Sequence, residues 1–523
     1  MRINSSRRGF IKSMAGMAAV GMAGCFSKNA ARPLGGGKVR LAAVGVMGKG
    51  LTDWVPMIKS GKAELVALCD CDRGAVAKAA KTRQFRDLPD SLRPDLSKIP
   101  FYSDYRRLLD DAGILKIDAM TVSTTDHTHA PVAIGAMKQG IHVYVQKPLV
   151  RTLWELEYFR KTAKRHGVIT QMGNQGSSLP GFRRGVEILR SGILGYVGEV
   201  HVWTNRPVWP QGANAGRMTL GRADKIPASL DWNAWLGPAK DRPFKDMIPK
   251  GADVYNPWNI AKTVYHPFNW RGFFDFGCGA FGDMACHTMN LPFRGLELGA
   301  VTKAELSMVE DRDAIAFPMK SVVKLAYAER KSMDGRTLPA VTLYWYDGNE
   351  KPSADIMPQV AAAFKGKVPN TGCAVIGSNG VLCSTNDYGG ESFIALGDEK
   401  KVVNVKSHEA AKMVAQSIPL RTDSAAKVEK GSGAAAVSAD GHYVEFLDAI
   451  MGEGPTFADV GGSRCFSDIE YSIPQMEGIL VGVVAQRVCE VGDSLAWNSS
   501  KQVFDNTAAN NLLRPYMRKG FEF

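Results

Sequence analysis

The stretch from Val39 to Asp70 admits few folds. Val39-Arg40-Leu41-Ala42-Ala43-Val44 is an apolar run of strand length, followed at once by Gly45-Val46-Met47-Gly48-Lys49-Gly50 and a helical stretch. A second such run, Glu64-Leu65-Val66-Ala67-Leu68-Cys69, ends in Asp70. Glycines between a strand and a helix let the backbone turn tightly and approach a pyrophosphate, whose charge is met by the N–H groups of the helix start. A carboxylate about twenty residues further on stands where the ribose hydroxyls of NAD are held. Gly45, Met47, Gly48, Gly50 and Asp70 are therefore candidate cofactor contacts. Met47 replaces the middle glycine of G-x-G-x-x-G, which weakens the expected close approach. Asp70 favours NAD, because it would repel a 2′-phosphate, and Arg73 nearby keeps NADP open.

The same alternation continues. A third strand, Ala119-Met120-Thr121-Val122-Ser123, runs into the loop Thr124-Thr125-Asp126-His127-Thr128-His129, and the strand Ile141 to Val145 ends in Gln146-Lys147-Pro148. Strands alternating with helices give an α/β fold, a doubly wound parallel sheet whose ligands sit beyond the C-terminal strand ends. Both loops lie there, which adds Thr124, Asp126, His129 and Lys147 to the cofactor candidates. His127 and His129 form an H-x-H, but no second ligand pair accompanies them, so no metal is expected and the two are placed on the nicotinamide side of the pocket.

At 523 residues the chain exceeds what one core usually serves. The division read here is a signal over 1–34, a nucleotide-binding domain over 38–165, and a substrate domain over 166–523 carrying an insertion near 407–437. The formal charge of +13 is spread without a dense Lys/Arg run, so no nucleic-acid partner is expected. The nine cysteines include no C-x-x-C set. Ser6-Arg7-Arg8-Gly9-Phe10-Ile11-Lys12 followed by a weak apolar run reads as the twin-arginine (Tat) address of bacterial export. Met22-Ala23-Gly24-Cys25 is similar to a lipobox, so the exported, periplasmic chain would touch a membrane only through lipid at Cys25. A cleaved soluble form is the alternative.

At Gln146-Lys147-Pro148 the chain resembles the glucose-fructose oxidoreductase, inositol dehydrogenase and rhizopine-catabolism (Gfo/Idh/MocA) family, whose pattern at this place is Glu-Lys-Pro. Asp126-His127-Thr128-His129-Ala130-Pro131, Met172-Gly173-Asn174-Gln175-Gly176 and Asp283-Met284-Ala285-Cys286-His287 support the likeness. The resemblance implies a C-terminal α+β domain with an open, mostly antiparallel sheet closing the site, and a homo-oligomer. Strand alternation in Gly198 to Trp203 and Thr342 to Tyr346 agrees with such a sheet. It also implies catalytic roles for Lys147, Asp283 and His287.

The residues bear those roles chemically. An ammonium at Lys147 would hydrogen-bond the hydroxyl being oxidised, although a surface lysine is the plainer reading of an isolated Lys. Gln146 in place of glutamate removes a negative neighbour and would alter that lysine's environment. Asp283 and His287 stand four apart in a helical segment, on one face, as proton transfer from a sugar hydroxyl requires; a satisfied structural histidine is the alternative. Asn174, Gln175, Trp270 and Arg271 would bind a polyhydroxylated substrate. Arg206-Pro207-Val208-Trp209-Pro210 is either a further sugar platform or a stiffened loop.

The resulting expectation is an exported oxidoreductase that uses NAD, or NADP, on a sugar or polyol hydroxyl and keeps its cofactor. The alternatives are a redox-neutral NAD-dependent glycoside hydrolase and a non-catalytic sugar-binding protein.

Overall fold

The computed structural model describes residues 37–248, 256–257, 262–428, 435–438 and 440–523. The twin-arginine stretch and Cys25 lie outside the described residues, as does part of the 407–437 insertion.

The near-continuous apolar runs of the N-terminal half become strands covered on both faces. They are β1 (Val39–Val44), β2 (Ala63–Cys69), β3 (Phe101–Tyr102), β4 (Ala119–Val122), β5 (His142–Val145) and β6 (Thr170–Met172). All pair in parallel, in the order β3-β2-β1-β4-β5-β6. That is the doubly wound order, and its direction reverses between β1 and β4, where a ligand crevice opens at the strand ends. Helices α1 (Lys49–Lys59), α2 (Asp126–Lys138) and α3 (Leu153–His166) supply the crossovers. The sheet runs past residue 165, because Thr170–Met172 pairs with Val143–Val145.

The second sheet has ten strands. Its centre is Val197–Trp203, which runs parallel to Val341–Asp347 and antiparallel to Gly372–Gly377. Every other pairing in it is antiparallel. Alternation is visible in Lys320–Tyr327 and Val341–Asp347, where every second residue is buried. On the covered face lies α4 (Gly279–Thr288), all of whose residues are buried. Phe281 of α4 stacks on Trp345 at 4.5 Å with the planes 4° apart. The long helix Ile469–Val488 crosses directly above, and Gly482 makes room, since a Cβ there would fall 2.3 Å from the Phe281 ring.

Chain from the second half returns to the first. Helix α5 (Asp440–Met451) puts Tyr443, Phe446 and Leu447 into the core formed by β1, β2 and α1. The 407–437 stretch is not all surface: Ala411 and Ile418 are buried, and the N–H groups of Ser417 and Ile418 donate to Glu187. Residues 229–248 and 262–276 reach back over the crevice. Arg73 donates its N–H to Ser229, and Asp231 donates to Cys71, at 2.9 and 2.8 Å. The C-terminal tail backs this strap, with Arg518 donating to the carbonyls of Asn233, Gly237 and Pro238.

The orientation of α4 depends on one stacked ring pair, so Phe281→Ala should lower unfolding free energy by about 3–5 kcal/mol, the usual cost of deleting a buried aromatic. Reversible denaturant titration measures it, and a loss below about 1 kcal/mol would mean that other contacts fix the helix.

Candidate active site

Three glycines shape the crevice. At Gly45 (φ +86°) a Cβ would sit 2.4 Å from the Ser123 carbonyl oxygen, and at Gly50 one would sit 2.0 Å from the Gly45 carbonyl oxygen. These two bring β1, α1 and β4 together. Gly48 differs: it begins α1 with φ 61° and ψ −123°, and a Cβ there would meet nothing within 4 Å. It faces a cavity of about 910 Å³ lined also by Gly45, Met47, Lys49, Asp70 and Thr124. The close approach expected at position 47 is thus provided one residue later, and the half-buried Met47 side chain packs against the core around Trp54. A dinucleotide fits this open glycine turn at a helix start.

Asp70 is fixed by N–H donors from Val46 (2.8 Å) and Asp72 (3.0 Å), while burial raises its pKa from the ordinary aspartate value. Asp72 also lines the cavity, engaged with the Gly74 N–H and Lys78. Two carboxylates therefore stand at the end of β2.

Outside the lining of this cavity, and reaching it through Arg271, lies a denser group that includes Lys147, for which a cofactor contact was expected. Lys147, at the end of β5, donates from Nζ to the Asp283 carbonyl oxygen and to Asp283 Oδ1, both at 2.8 Å. Arg271 Nε approaches the same Oδ1 at 3.3 Å, its guanidinium held 4.3 Å from the rings of both Phe268 and Trp270. Burial pulls the Asp283 pKa upward, but Lys147 and Arg271 outweigh it and hold the carboxyl well below the usual range. His287, one turn along α4, is 5% exposed. Burial, reinforced by the Lys147 charge, keeps its pKa well below the ordinary imidazole value, so the ring is neutral near pH 7. Its Nδ1 is buried without a hydrogen-bond partner among the described residues. Both polar side-chain atoms of Asn174, and Oε1 of Gln175, are likewise buried and unpartnered. The turn that follows them packs Gly176 against Tyr388, whose ring meets His287 edge-on at 4.8 Å.

The structure thus gathers Lys147, Asp283, His287 and Arg271, with Asn174 and Gln175 joined to them through Tyr388. Trp270 lines the cavity and braces Arg271. Three expectations need correction. Asp126 does not line the cavity; it is buried beside Arg271, Asp283 and Lys147, and burial pushes its pKa up to about 7. His129 is 1% exposed behind the site, its Nδ1 at 2.8 Å from the Pro148 carbonyl oxygen, where it braces the turn carrying Lys147. His127 is fully buried; its Nε2 lies 3.1 Å from the carbonyl oxygens of Trp235 and Leu236, and its ring packs on Trp235 and Phe276. It anchors the strap rather than facing nicotinamide. Trp209 is 1% exposed in a small cluster with Val208 and Ala280, so of the two readings of Arg206 to Pro210 the stiffened loop describes it. Among the described residues no group of three or more His, Cys, Asp or Glu side chains is placed to hold a metal.

Sequence reasoning missed Tyr388 and Asp387, and read Arg206 only as part of a sugar platform or stiffened loop. Arg206 bonds Asp387 at 3.1 Å, and its charge reaches both His287 and Tyr388. Asp387 and Tyr388 sit between two strands far along the chain, in Thr385-Asn386-Asp387-Tyr388-Gly389-Gly390, which reads as an ordinary turn.

In comparison with known proteins, residues 39–174 match the Gfo/Idh/MocA family model, described as "Oxidoreductase family, NAD-binding Rossmann fold". A curated relative, "Glycosyl hydrolase family 109 protein 2" of Akkermansia muciniphila, is 28% identical over 232 residues, covering 37% of this chain and 46% of the relative. The chain therefore spans less than half of that relative's length. Among solved structures, an inositol dehydrogenase homolog from Azotobacter vinelandii, complexed with NADH and myo-inositol, aligns with a TM-score of 0.51 at 16% identity, covering 90% of this chain and 99% of that one. The WlbA dehydrogenase of Chromobacterium violaceum, in complex with NADH and UDP-GlcNAcA, aligns with a TM-score of 0.53 at 14% identity, covering 89% and 98%. These likenesses establish the fold.

Burial gives His127 a measurable signature. Its pKa falls from 6.5 to about 3, chiefly by desolvation and then by the Arg151 charge. The unfolded chain takes up that proton near pH 6.5 and the folded chain does not, so the contribution is complete above that pH and is lost as pH falls toward about 3. At about 1.4 kcal/mol per pH unit, His127 should account for about 2 kcal/mol of the stability lost between pH 6.5 and about pH 5. In His127→Phe the acid limb of the stability curve should be shallower by that amount; equal slopes in denaturant titrations across this range would refute the assignment.

Proposed function

We propose that this protein is an exported NAD-dependent oxidoreductase that acts on a sugar or polyol hydroxyl and retains its cofactor between turnovers. The observation that carries the reading is the buried Lys147-Asp283-His287 cluster, joined through Arg271 to a glycine-lined crevice fit for a dinucleotide. When bound, NAD supplies a hydride acceptor and donor. His287, neutral and with an unpartnered nitrogen, is suited to take the hydroxyl proton as its carbon is oxidised. Two of the three Lys147 N–H bonds are used on Asp283, which leaves one to donate to the substrate oxygen. Asp283 aims the ammonium and offsets its charge. Asn174, Gln175 and Tyr388 surround the same space with donors and acceptors that a polyol would satisfy.

Retention and cofactor choice follow from the strap and from β2. The backbone bonds tying residues 229–231 to 71–73 close the adenosine end of the crevice. Asp70 and Asp72 favour a free 2′-hydroxyl over a phosphate. The Ser6 to Lys12 stretch supports Tat export of the folded, loaded protein, and Cys25 a lipid anchor; the chain would form a homo-oligomer.

A second reading is favoured by the family 109 relative: a redox-neutral glycosidase in which oxidation, elimination of the glycosidic substituent, addition of water and re-reduction occur at one sugar. The same three side chains serve either course. The protein as purified, offered a panel of sugars and glycosides and followed by nicotinamide absorbance and NMR, separates them. Net reduction of bound NAD that needs a second substrate for reoxidation identifies the oxidoreductase. Glycoside cleavage with no net redox change identifies the hydrolase, and silence toward the whole panel removes both.

NAD should survive chromatography at near one per chain and be released by denaturation; substoichiometric traces would defeat retention. Lys147→Ala and His287→Ala should each lower turnover roughly a hundredfold or more while keeping bound NAD, the scale of a lost acid or base. Near-normal turnover in both variants would remove the catalytic assignment. Asp70→Ala should narrow the preference for NAD over NADP in reconstituted protein, and an existing preference for NADP in the wild type would shift the assignment to Arg73.

A further inference from the structure

A carboxylate lies beneath the site that the chemistry above does not use. Asp53, on α1 one turn after Lys49, is 0% exposed. It accepts from Lys49 Nζ at 2.6 Å, from Ser123 Oγ at 2.7 Å, and from Gln146 Nε2 at 2.9 and 3.1 Å to its two oxygens. Those partners come from three different strand ends: the turn after β1, the end of β4 and the end of β5. Lys49 is itself bound to Thr52 Oγ1 and to Tyr443 Oη of α5. A buried charge is costly unless paired and fully hydrogen-bonded, and here it is both.

The consequence falls on Gln146. A carboxylate paired with an ammonium offers acceptors only, so the amide must turn Nε2 toward Asp53. Its Oε1 then faces the other way and accepts the backbone N–H of Lys147 at 3.3 Å. Gly173 leaves space for this arrangement, since a Cβ there would stand 2.5 Å from Gln146 Nε2. In the Glu-Lys-Pro pattern the residue before the lysine is itself the carboxylate; in this chain the carboxylate is one side chain further back, on α1.

We propose that Asp53 is a positioning residue for Lys147, acting through the Gln146 amide. The effect on turnover rests on the function proposed above; the effect on the lysine's placement rests on geometry alone.

Three variants test it. Gln146→Met breaks the link while leaving the Lys49–Asp53 pair intact, and so keeps the test open if Asp53→Asn does not fold. The double variant Asp53→Asn with Gln146→Glu exchanges the carboxylate and the amide across the same contact. The first measurement needs no reaction: the rate of reductive methylation of Lys147 in the folded protein as purified, by peptide mass spectrometry with the other lysines as internal standards. Methylation should be several-fold faster in Gln146→Met and Asp53→Asn and return close to the wild-type rate in the exchange. Equal rates in all folded variants, or no recovery in the exchange, would overturn the proposal.

The second measurement is turnover on whichever substrate the wild type accepts. Gln146→Met and Asp53→Asn should lower kcat roughly ten- to a hundredfold, the scale of a reacting group displaced by about an ångström, with KM little changed. The exchange should recover most of it. Faster methylation with unchanged kcat would uphold the placement and overturn the catalytic role of Lys147. A wild type that oxidises no sugar or polyol would overturn the proposed function, and the methylation rates would still decide this inference.

Discussion

The Lys147–Asp283 ion pair is the contact on which the two halves of the molecule converge. Lys147 comes from the end of a strand in the first sheet and Asp283 from a helix lying on the second, and their side chains are 13% and 12% exposed. Bringing two charges out of water is expensive, and mutual attraction repays it only when geometry is good and the remaining donors and acceptors are met. Here Lys147 meets both the carboxylate and the backbone carbonyl of Asp283, and Arg271 joins from the strap. A small shift of either sheet would strand a buried charge. The pair therefore ties the end of β5 to α4, one turn from His287.

Around that pair the electrostatics are divided by environment rather than by residue type. Asp283 is held ionised by two cations, whereas Asp126, a few ångströms of protein away in the same cluster, is pushed to about 7 by burial. His287 stays neutral because a protonated ring would add a charge to a desolvated place already holding Lys147. The unpartnered atoms of Asn174, Gln175 and His287 point to a polar ligand, since buried groups left unbonded cost on the order of 1–3 kcal/mol each. Trp270 and Arg271 line the crevice beside that cluster, and Tyr388 packs edge-on against His287.

The sequence made some of this legible and hid the rest for identifiable reasons. Strands β1, β4 and β5 are buried on both faces, and an apolar run bounded by turns declares such a strand whatever surrounds it. Asp283 and His287 could be paired in advance because a helix fixes what lies four residues on. His127 and His129 were misplaced because a two-residue spacing at a helix start sends neighbouring side chains in different directions, and the strap that captures His127 arrives from more than a hundred residues away. Met47 was read as a defect in the glycine turn, yet Gly48 opens the turn in its place, a matter of φ and ψ rather than of pattern.

What the sequence by itself determined is local: the strand–turn–helix periodicity, the glycines and carboxylate of the nucleotide turn, and the helix face carrying Asp283 and His287. These follow from steric and periodic rules acting over a few residues, and they suffice to assign the doubly wound sheet. Tertiary structure alone decided which distant groups share a desolvated volume. Asp53 meets Gln146 across 93 residues, Lys147 meets Asp283 across 136, and Tyr388 meets His287 across 101 (388 − 287). Their charges and proton affinities depend on who those neighbours are and how little water lies between them, and neither is written in the order of residues along the chain.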